Sequence, residues 1–372
     1  MGRLSLAVAA LALGLAASAC GDPLVVLGDT PGLMRIVLGI GDSIGNRVDS
    51  LAVRTRLTEP QAVAFVAEAG ILYAADRGAT RSVNGINTRV GRIFSVDSRG
   101  RARLVLDAGG CPAGTCIVNP VEMVLSNGAL IIADAVGHRV LRYVPGGAIT
   151  VLAGTGVAGT SADGVVAAQS PVNRPNGVAV ASDGRILFSE ASSHRIRVIG
   201  TDGRLGTIAG NGSSVSSGDG GPATSAGIVE PAGLTFIDGV LYIAEYGGAR
   251  VRAVDTGGII TTVAGVGVHD FSGDGGPATE ARLHHPIAVT GSSSGRTLFV
   301  SDHLNHRVRA VDLPSGIIRT FAGTGDTRFT GTRRAAGETA LSGPWGVVAG
   351  AGFLFIADRG HSVFWRTSID FN

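Results

Sequence analysis

A unit of about 56 residues recurs six times along this chain, and that recurrence constrains the fold more than anything else in it. Each unit opens on a proline: Pro60, Pro120, Pro175, Pro231, Pro286 and Pro344. About sixteen residues later comes an acid: Asp76, Asp134, Glu190, Glu245, Asp302 and Asp358. The acid closes a strand-like run, as in Leu72-Tyr-Ala-Ala-Asp76 and Leu298-Phe-Val-Ser-Asp302. Five residues beyond the acid stands an arginine in four units (Arg139, Arg195, Arg250, Arg307), followed by a glycine-rich turn and a further strand. Glycine supports this reading: its 58 copies are far above the usual share without a collagen period, which fits many short strands joined by tight turns. A hydrophobic share of 45% excludes disorder. Four antiparallel strands per unit, six times over, give an all-β, six-bladed propeller.

The pattern at Phe299–Arg309, with Asn305-His306-Arg307 at its turn, resembles the NHL-repeat family, whose members form propellers of this kind. The spacer Ser217-Gly-Asp-Gly-Gly-Pro-Ala-Thr224, repeated at Ser272–Thr279, resembles a long-repeat bacterial subgroup also seen in teneurin-like NHL domains. The resemblance runs through residues 34–372. The sixth unit stops after one strand beyond Asp358, and Met34-Arg-Ile-Val-Leu-Gly39 matches the pattern of Ile259–Gly265. The N-terminal strand is therefore expected to complete the C-terminal blade and leave no open edge. A monomeric ring follows.

Ahead of the ring, Arg3 and the apolar run Leu4–Ala17 are too short to span a bilayer and end at Ala17-Ser-Ala19, a small-residue cleavage site. Residues 1–19 read as an export signal. Cleavage there leaves Cys20 first, which resembles the lipobox of bacterial lipoproteins and implies lipid attachment at Cys20, with residues 20–33 as a tether. This places the protein in the cell envelope, anchored to a membrane by its lipid. The remaining cysteines, Cys111 and Cys116, flank a turn-forming segment and are expected to pair in that oxidising location.

The formal charge of +2 argues against a polyanion-binding protein, and an exported chain would not ordinarily meet RNA, so no nucleic acid is expected. All 31 basic residues are arginines. A feature present in nearly every unit reads as scaffold, so the acids are expected to cap turns and pair with the arginines, and the turn residues His138, His194, His306 and His361 are not taken as a metal ring. Related propeller enzymes, such as amidating lyases and lactonases, hold a metal in the channel. Here the innermost strands offer only Glu122, with Asn176 and Gln61 nearby, and Trp345 at the mouth; no cofactor and no metal are expected. Departures from the repeat carry more information. Eleven extra residues within 77–91 bring Arg77, Arg81 and Arg89, and the irregular spacer before the sixth unit brings Arg328, Arg333 and Arg334. Ring closure makes these units neighbours, so the six arginines are a candidate patch for an unidentified protein or anionic envelope ligand. The sequence thus points to a non-catalytic binding module, with a channel-site lyase or lactonase-like enzyme as the alternative.

Overall fold

The computed structural model describes residues 33–39, 55–78, 80–83, 86–107, 116–331 and 334–369, with the side chains of 81–83 and 86–89 left out. Six four-stranded antiparallel sheets form a ring. Blade 1 is β2 (Pro60–Val66), β3 (Ile71–Asp76), β6 (Arg92–Val96) and β7 (Ala102–Asp107). Blade 2 is β8 (Pro120–Ser126), β9 (Ala129–Asp134), β10 (Arg139–Tyr143) and β11 (Ile149–Ala153). Blade 3 runs from β12 (Pro175–Val180) through β13 (Ile186–Glu190) and β14 (Arg195–Ile199) to β15 (Leu205–Ala209). Blade 4 comprises β16 (Pro231–Ile237), β17 (Val240–Glu245), β18 (Arg250–Val254) and β19 (Ile260–Ala264). Blade 5 comprises β20 (Pro286–Gly291), β21 (Thr297–Asp302), β22 (Arg307–Asp312) and β23 (Ile317–Ala322). The recurrent proline starts the innermost strand of each blade and the recurrent acid ends the second. The missing amide of proline costs nothing at a strand's first residue. In every inner strand a register shift follows the proline, so the Pro-x-x segment bulges where it meets the axis.

Blade 6 takes three strands from the chain's end, β24 (Pro344–Gly350), β25 (Phe353–Asp358) and β26 (Val363–Ser368), and its outer strand from β1 (Arg35–Leu38). Arg35 pairs with Arg366, Ile36 with Trp365 and Leu38 with Phe364. Gly39 shows how fully β1 imitates the other outer strands. A Cβ there would lie 2.5 Å from the Ser362 carbonyl oxygen, as one at Gly265 would lie 2.3 Å from that of Ala249. Both glycines have φ above +90° or at it, which only glycine adopts without strain. Met34 and Leu38 are wholly buried, so the closing strand also completes the core.

Apolar faces of adjacent blades pack on each other around the ring, with Trp365, Phe355, Phe364, Phe188 and Phe299 among the largest buried side chains. The extra residues of the first unit include a hairpin, β4 (Thr80–Val83) paired with β5 (Ile86–Arg89), standing between β3 and β6. Among the described residues no helix is long and apolar enough to cross a membrane.

Candidate functional site

One face of the ring, here the top, carries the turns after the acids and the spacers between blades. The acids are buried there to 0% exposure, and each receives backbone N–H groups from the residues just before the inner strand of its own blade. Asp302 Oδ1 accepts from His284 N at 2.7 Å, Glu190 from Asn173 N at 2.8 Å and Asp358 from Ser342 N at 2.9 Å. The acid therefore pins the start of its own blade's inner strand. The expected arginine partner is right in blades 1 and 2, where Arg92 meets Asp76 and Arg139 meets Asp134 at 3.2 Å. In blades 3–5 it needs correcting: the partner lies two residues further along, at Arg197, Arg252 and Arg309. Positions two apart share a strand face, and the deeper one reaches a second carboxylate supplied by the spacer. Arg309 spans Asp302 (3.3 Å) and Asp274 (2.7 Å), Arg197 spans Glu190 (2.9 Å) and Asp163 (3.1 Å), and Arg252 spans Glu245 (3.6 Å) and Asp219 (2.5 Å). The spacer aspartates also accept from Thr320, Thr207 and Thr262 on the outer strands. The nearer arginines serve the turns instead, as Arg195 does by donating to the Ser193 and Asn211 carbonyls.

Three of the turn histidines are equally structural. His138, His194 and His306 occupy the left-handed region at φ 48–55°. Through Nδ1 they accept the N–H of Arg174, Glu230 and Gly343, each the residue before the next blade's proline, at 3.1–3.2 Å. His361 differs, sitting between Asp358 (2.8 Å) and the Thr327 carbonyl (2.7 Å). Asp358 takes its third partner from Trp365 Nε1 at 2.9 Å, where blades 3–5 have the buried arginine.

With the repeated groups engaged in scaffold, the varied positions define the site. Two flank the fixed residues in every unit: the one before the proline and the one after the acid. They lie together at the top of the inner strands, joined by backbone bonds such as Arg77 N to Glu59 O and Tyr246 N to Glu230 O. Around the mouth this brings Arg77 and Arg359 onto one Glu59 carboxylate, at 3.3 and 2.8 Å. Arg359 also lies over the Trp345 ring, 4.7 Å from its centroid, and His303 meets that ring edge-on at 5.0 Å. Burial holds the His303 imidazole down at about 4, so it is neutral. Tyr246 stacks on His285 at 4.2 Å, and Arg174 beside it is exposed. Apart from Arg77, Trp345 and His285, which stands just before Pro286 and so within reach of the mouth, sequence reasoning passed these residues over. Their signal was variation in chemistry beside invariant neighbours.

Of the candidate mouth residues, Trp345 and Asn176 stand one residue past the proline on the rim, while Glu122 sits one step deeper. It lines a channel cavity of about 220 Å³ whose walls are mostly small and apolar. Its carboxyl reaches sideways to the next two blades in the ring, accepting from Val178 N of blade 3 at 2.7 Å and Leu234 N of blade 4 at 3.4 Å. Gly177 and Gly233 make room: a Cβ on either would stand 3.0–3.1 Å from its oxygens. Part of its surface opens to the channel, but protein surrounds most of the carboxyl, and this desolvation raises its pKa to about 8 against two backbone hydrogen bonds. Glu122 is thus a neutral, hydrogen-bonded group at neutral pH.

The candidate arginine patch is only partly brought together. Arg77 belongs to the mouth. Arg328 is 86% exposed and pairs with Asp326, and Arg334 donates to the Thr330 carbonyl within its own loop. Arg81 and Arg89 lie on the hairpin with undescribed side chains; Arg333, Cys20 and Cys111 fall outside the described residues, and Cys116 is half-buried with its carbonyl held by Arg139.

No family model matches the chain. It is 26% identical over 273 residues to human NHL repeat-containing protein 2, covering 64% of this chain and 37% of that protein, so it spans little more than a third of the relative's length. Among solved structures, an auxiliary nutrient binding protein from Bacteroides thetaiotaomicron superposes with TM-score 0.63 at 16% identity, covering 90% of this chain and 75% of that one. A streptogramin B lyase superposes with TM-score 0.52 at 14% identity, covering 91% and 99%. At such identities the likeness is one of fold, and the same ring carries binding and catalysis alike.

Proposed function

The chain is a six-bladed propeller of NHL-type repeats, and we propose that it works as a non-catalytic binding module of the cell envelope, exported and lipid-anchored through Cys20, with its ligand at the top mouth of the channel. The observation that carries this reading is the composition of the variable mouth positions. Three blades place an arginine there (Arg77, Arg174 and Arg359), and Tyr246 and Trp345 stand among them. A planar guanidinium offers paired donors to carboxylate or phosphate, and the flanking rings offer flat apolar area. The ligand class is therefore an anionic group carried on a partly apolar body, from a small molecule or an envelope protein. Arg81, Arg89, Arg328, Arg333 and Arg334 belong to the same proposal as further basic charge for an anionic ligand. Pairing of Cys111 with Cys116 belongs to the same reading, since it needs the oxidising envelope.

The test is capture from an envelope extract by the full chain and by a variant carrying Arg174→Ser and Arg359→Ser. Glu59 keeps Arg77 as a partner in that variant, so the fold should survive. Capture is expected to weaken with rising salt, because exposed charges are screened over about 8–10 Å at ordinary ionic strength, and to disappear in the variant. Undiminished capture by the folded variant would move the site off the mouth. Cys20→Ser, tested by fractionation, should release the protein from membranes.

A further inference from the structure

Blade 4 breaks the histidine staple. Ala249 takes the left-handed position, φ 50°, that His138, His194 and His306 occupy in their blades. At this gap three other histidines meet. His284 and His285 precede Pro286 at the top of β20, and His269 comes from the loop between β19 and β20. One nitrogen from each lies within 4.8 Å of the other two, and the ring centroids are 4.5–5.4 Å apart.

We propose that His269, His284 and His285 form a binding site for a divalent first-row transition-metal ion, zinc being the best fit. The argument rests first on what the protein does with its other histidines. The chain has eight. Five have a ring nitrogen in a hydrogen bond: three staples, His303 to the Pro344 carbonyl, and His361 to Asp358 and Thr327. The three without one are the three that converge here. His285 Nδ1 is buried with no hydrogen-bond partner at all, an arrangement that costs stability unless something else occupies the lone pair.

Ligand chemistry agrees. Imidazole selects zinc, nickel or copper over magnesium or calcium, which prefer oxygen. The loop bearing His269 is fixed at its next residue: the Asp270 carbonyl accepts from Asn305 Nδ2 at 2.8 Å and its carboxylate pairs with Arg282 at 2.9 Å. Zinc–nitrogen bonds of about 2.0–2.1 Å in a tetrahedron set nitrogens about 3.4 Å apart. The cluster must contract slightly, and exposed His269 can supply that by side-chain rotation. Three protein ligands leave a fourth position for water or for a donor atom of a molecule at the mouth.

The experiment titrates metal-free full chain with Zn²⁺ by calorimetry, beside His269→Ala and His285→Ala, with His138→Ala as a control for histidines elsewhere. One zinc per chain is expected, bound at least about tenfold more weakly after either substitution in the trio and normally by the control. His269 is exposed and makes no hydrogen bond, so its variant folds even if the His285 variant does not. Cobalt in place of zinc should give the visible absorption of a tetrahedral site. No stoichiometric zinc, or zinc binding that survives His269→Ala unchanged, would overturn the site.

Discussion

Blades 5 and 6 are neighbours built on the same repeat, yet they hold their central acids by different chemistry. In blade 5 Asp302 is the buried end of a chain of charge that runs out to the surface: carboxylate, Arg309, then Asp274 from the spacer, which in turn holds Thr320 on the outer strand. Blade 6 has no aspartate at that place in its spacer and no arginine at that place in β26. Asp358 is satisfied instead by Trp365, His361 and the Ser342 amide. The difference shows what the clamp is for. The charged form ties inner strand, spacer and outer strand together in one covalent run of chain. The form without arginine needs no spacer carboxylate, which suits a blade whose outer strand arrives from the other end of the protein.

The harshest way to break the comparison is to remove that borrowed strand. Deleting residues 34–39 exposes the edge of β26 and strips Met34 and Leu38 from the core, at about 1.5–3 kcal/mol for each side chain before any hydrogen bond is counted. The melting temperature should fall by on the order of 10 °C or more, followed by circular dichroism. An unaltered melt would mean the ring is not closed by β1.

Next in size is the clamp itself. Arg309→Met leaves Asp302 buried and unpaired by its cation, and breaking such a pair from one side costs about 3–5 kcal/mol. Trp365→Phe removes a single donor from Asp358, which keeps two others, so about 1.5–3 kcal/mol is expected. Chemical denaturation of both variants checks the order. Equal losses would show that the two devices carry the same load.

How much of this was legible beforehand follows from which residues repeat. Strand count, ring closure and the scaffold role of the acids were readable because six copies share fixed spacings. The arginine partner was misplaced because the five-residue spacing recurs in four units, whereas the true partner recurs only where the spacer also supplies Asp163, Asp219 or Asp274. That co-occurrence was present in the sequence and went unread. So was the hairpin signal: Val83-Asn-Gly-Ile86 holds a dipeptide favoured in tight hairpin turns. The histidine trio had no local signature, since His269 and His284 are fifteen residues apart and meet only because the spacer folds back along 281–283.

Glu122 gives a smaller, pH-dependent contrast between the one carboxyl in the channel and the paired ones above it. Its folded pKa of about 8 lies above the usual 4.5, so between these values the native state keeps a proton that the unfolded chain has lost. Stability is therefore lost as pH rises through that window. Glu122→Gln removes the dependence. Above pH 8 the variant should be the more stable by on the order of 1–3 kcal/mol, held below the full linkage value because the carboxyl partly faces the channel. Parallel melting curves for the two proteins from pH 5 to 9 would contradict the burial of that group.

The smallest effect separates stapled from unstapled blade junctions. Blade 4 already carries Ala249 where its neighbours carry histidine, so alanine is tolerated at this left-handed position despite its Cβ. His194→Ala copies that state into the junction of blades 3 and 4. It removes one neutral hydrogen bond, His194 Nδ1 to Glu230 N–H, and leaves the amide near the solvent-facing mouth. Both residues are half-buried, so water can replace the imidazole and the net cost should stay at about 0.5–1.5 kcal/mol. For a chain of this size that is a shift of a few degrees in melting temperature. Hydrogen exchange should show the same loss locally, with faster exchange of the Glu230 amide and little change at Gly343, whose staple comes from His306. A loss as large as that of Arg309→Met would mean the imidazole also packs as core. No change at the Glu230 amide would mean that the staple is not formed in solution.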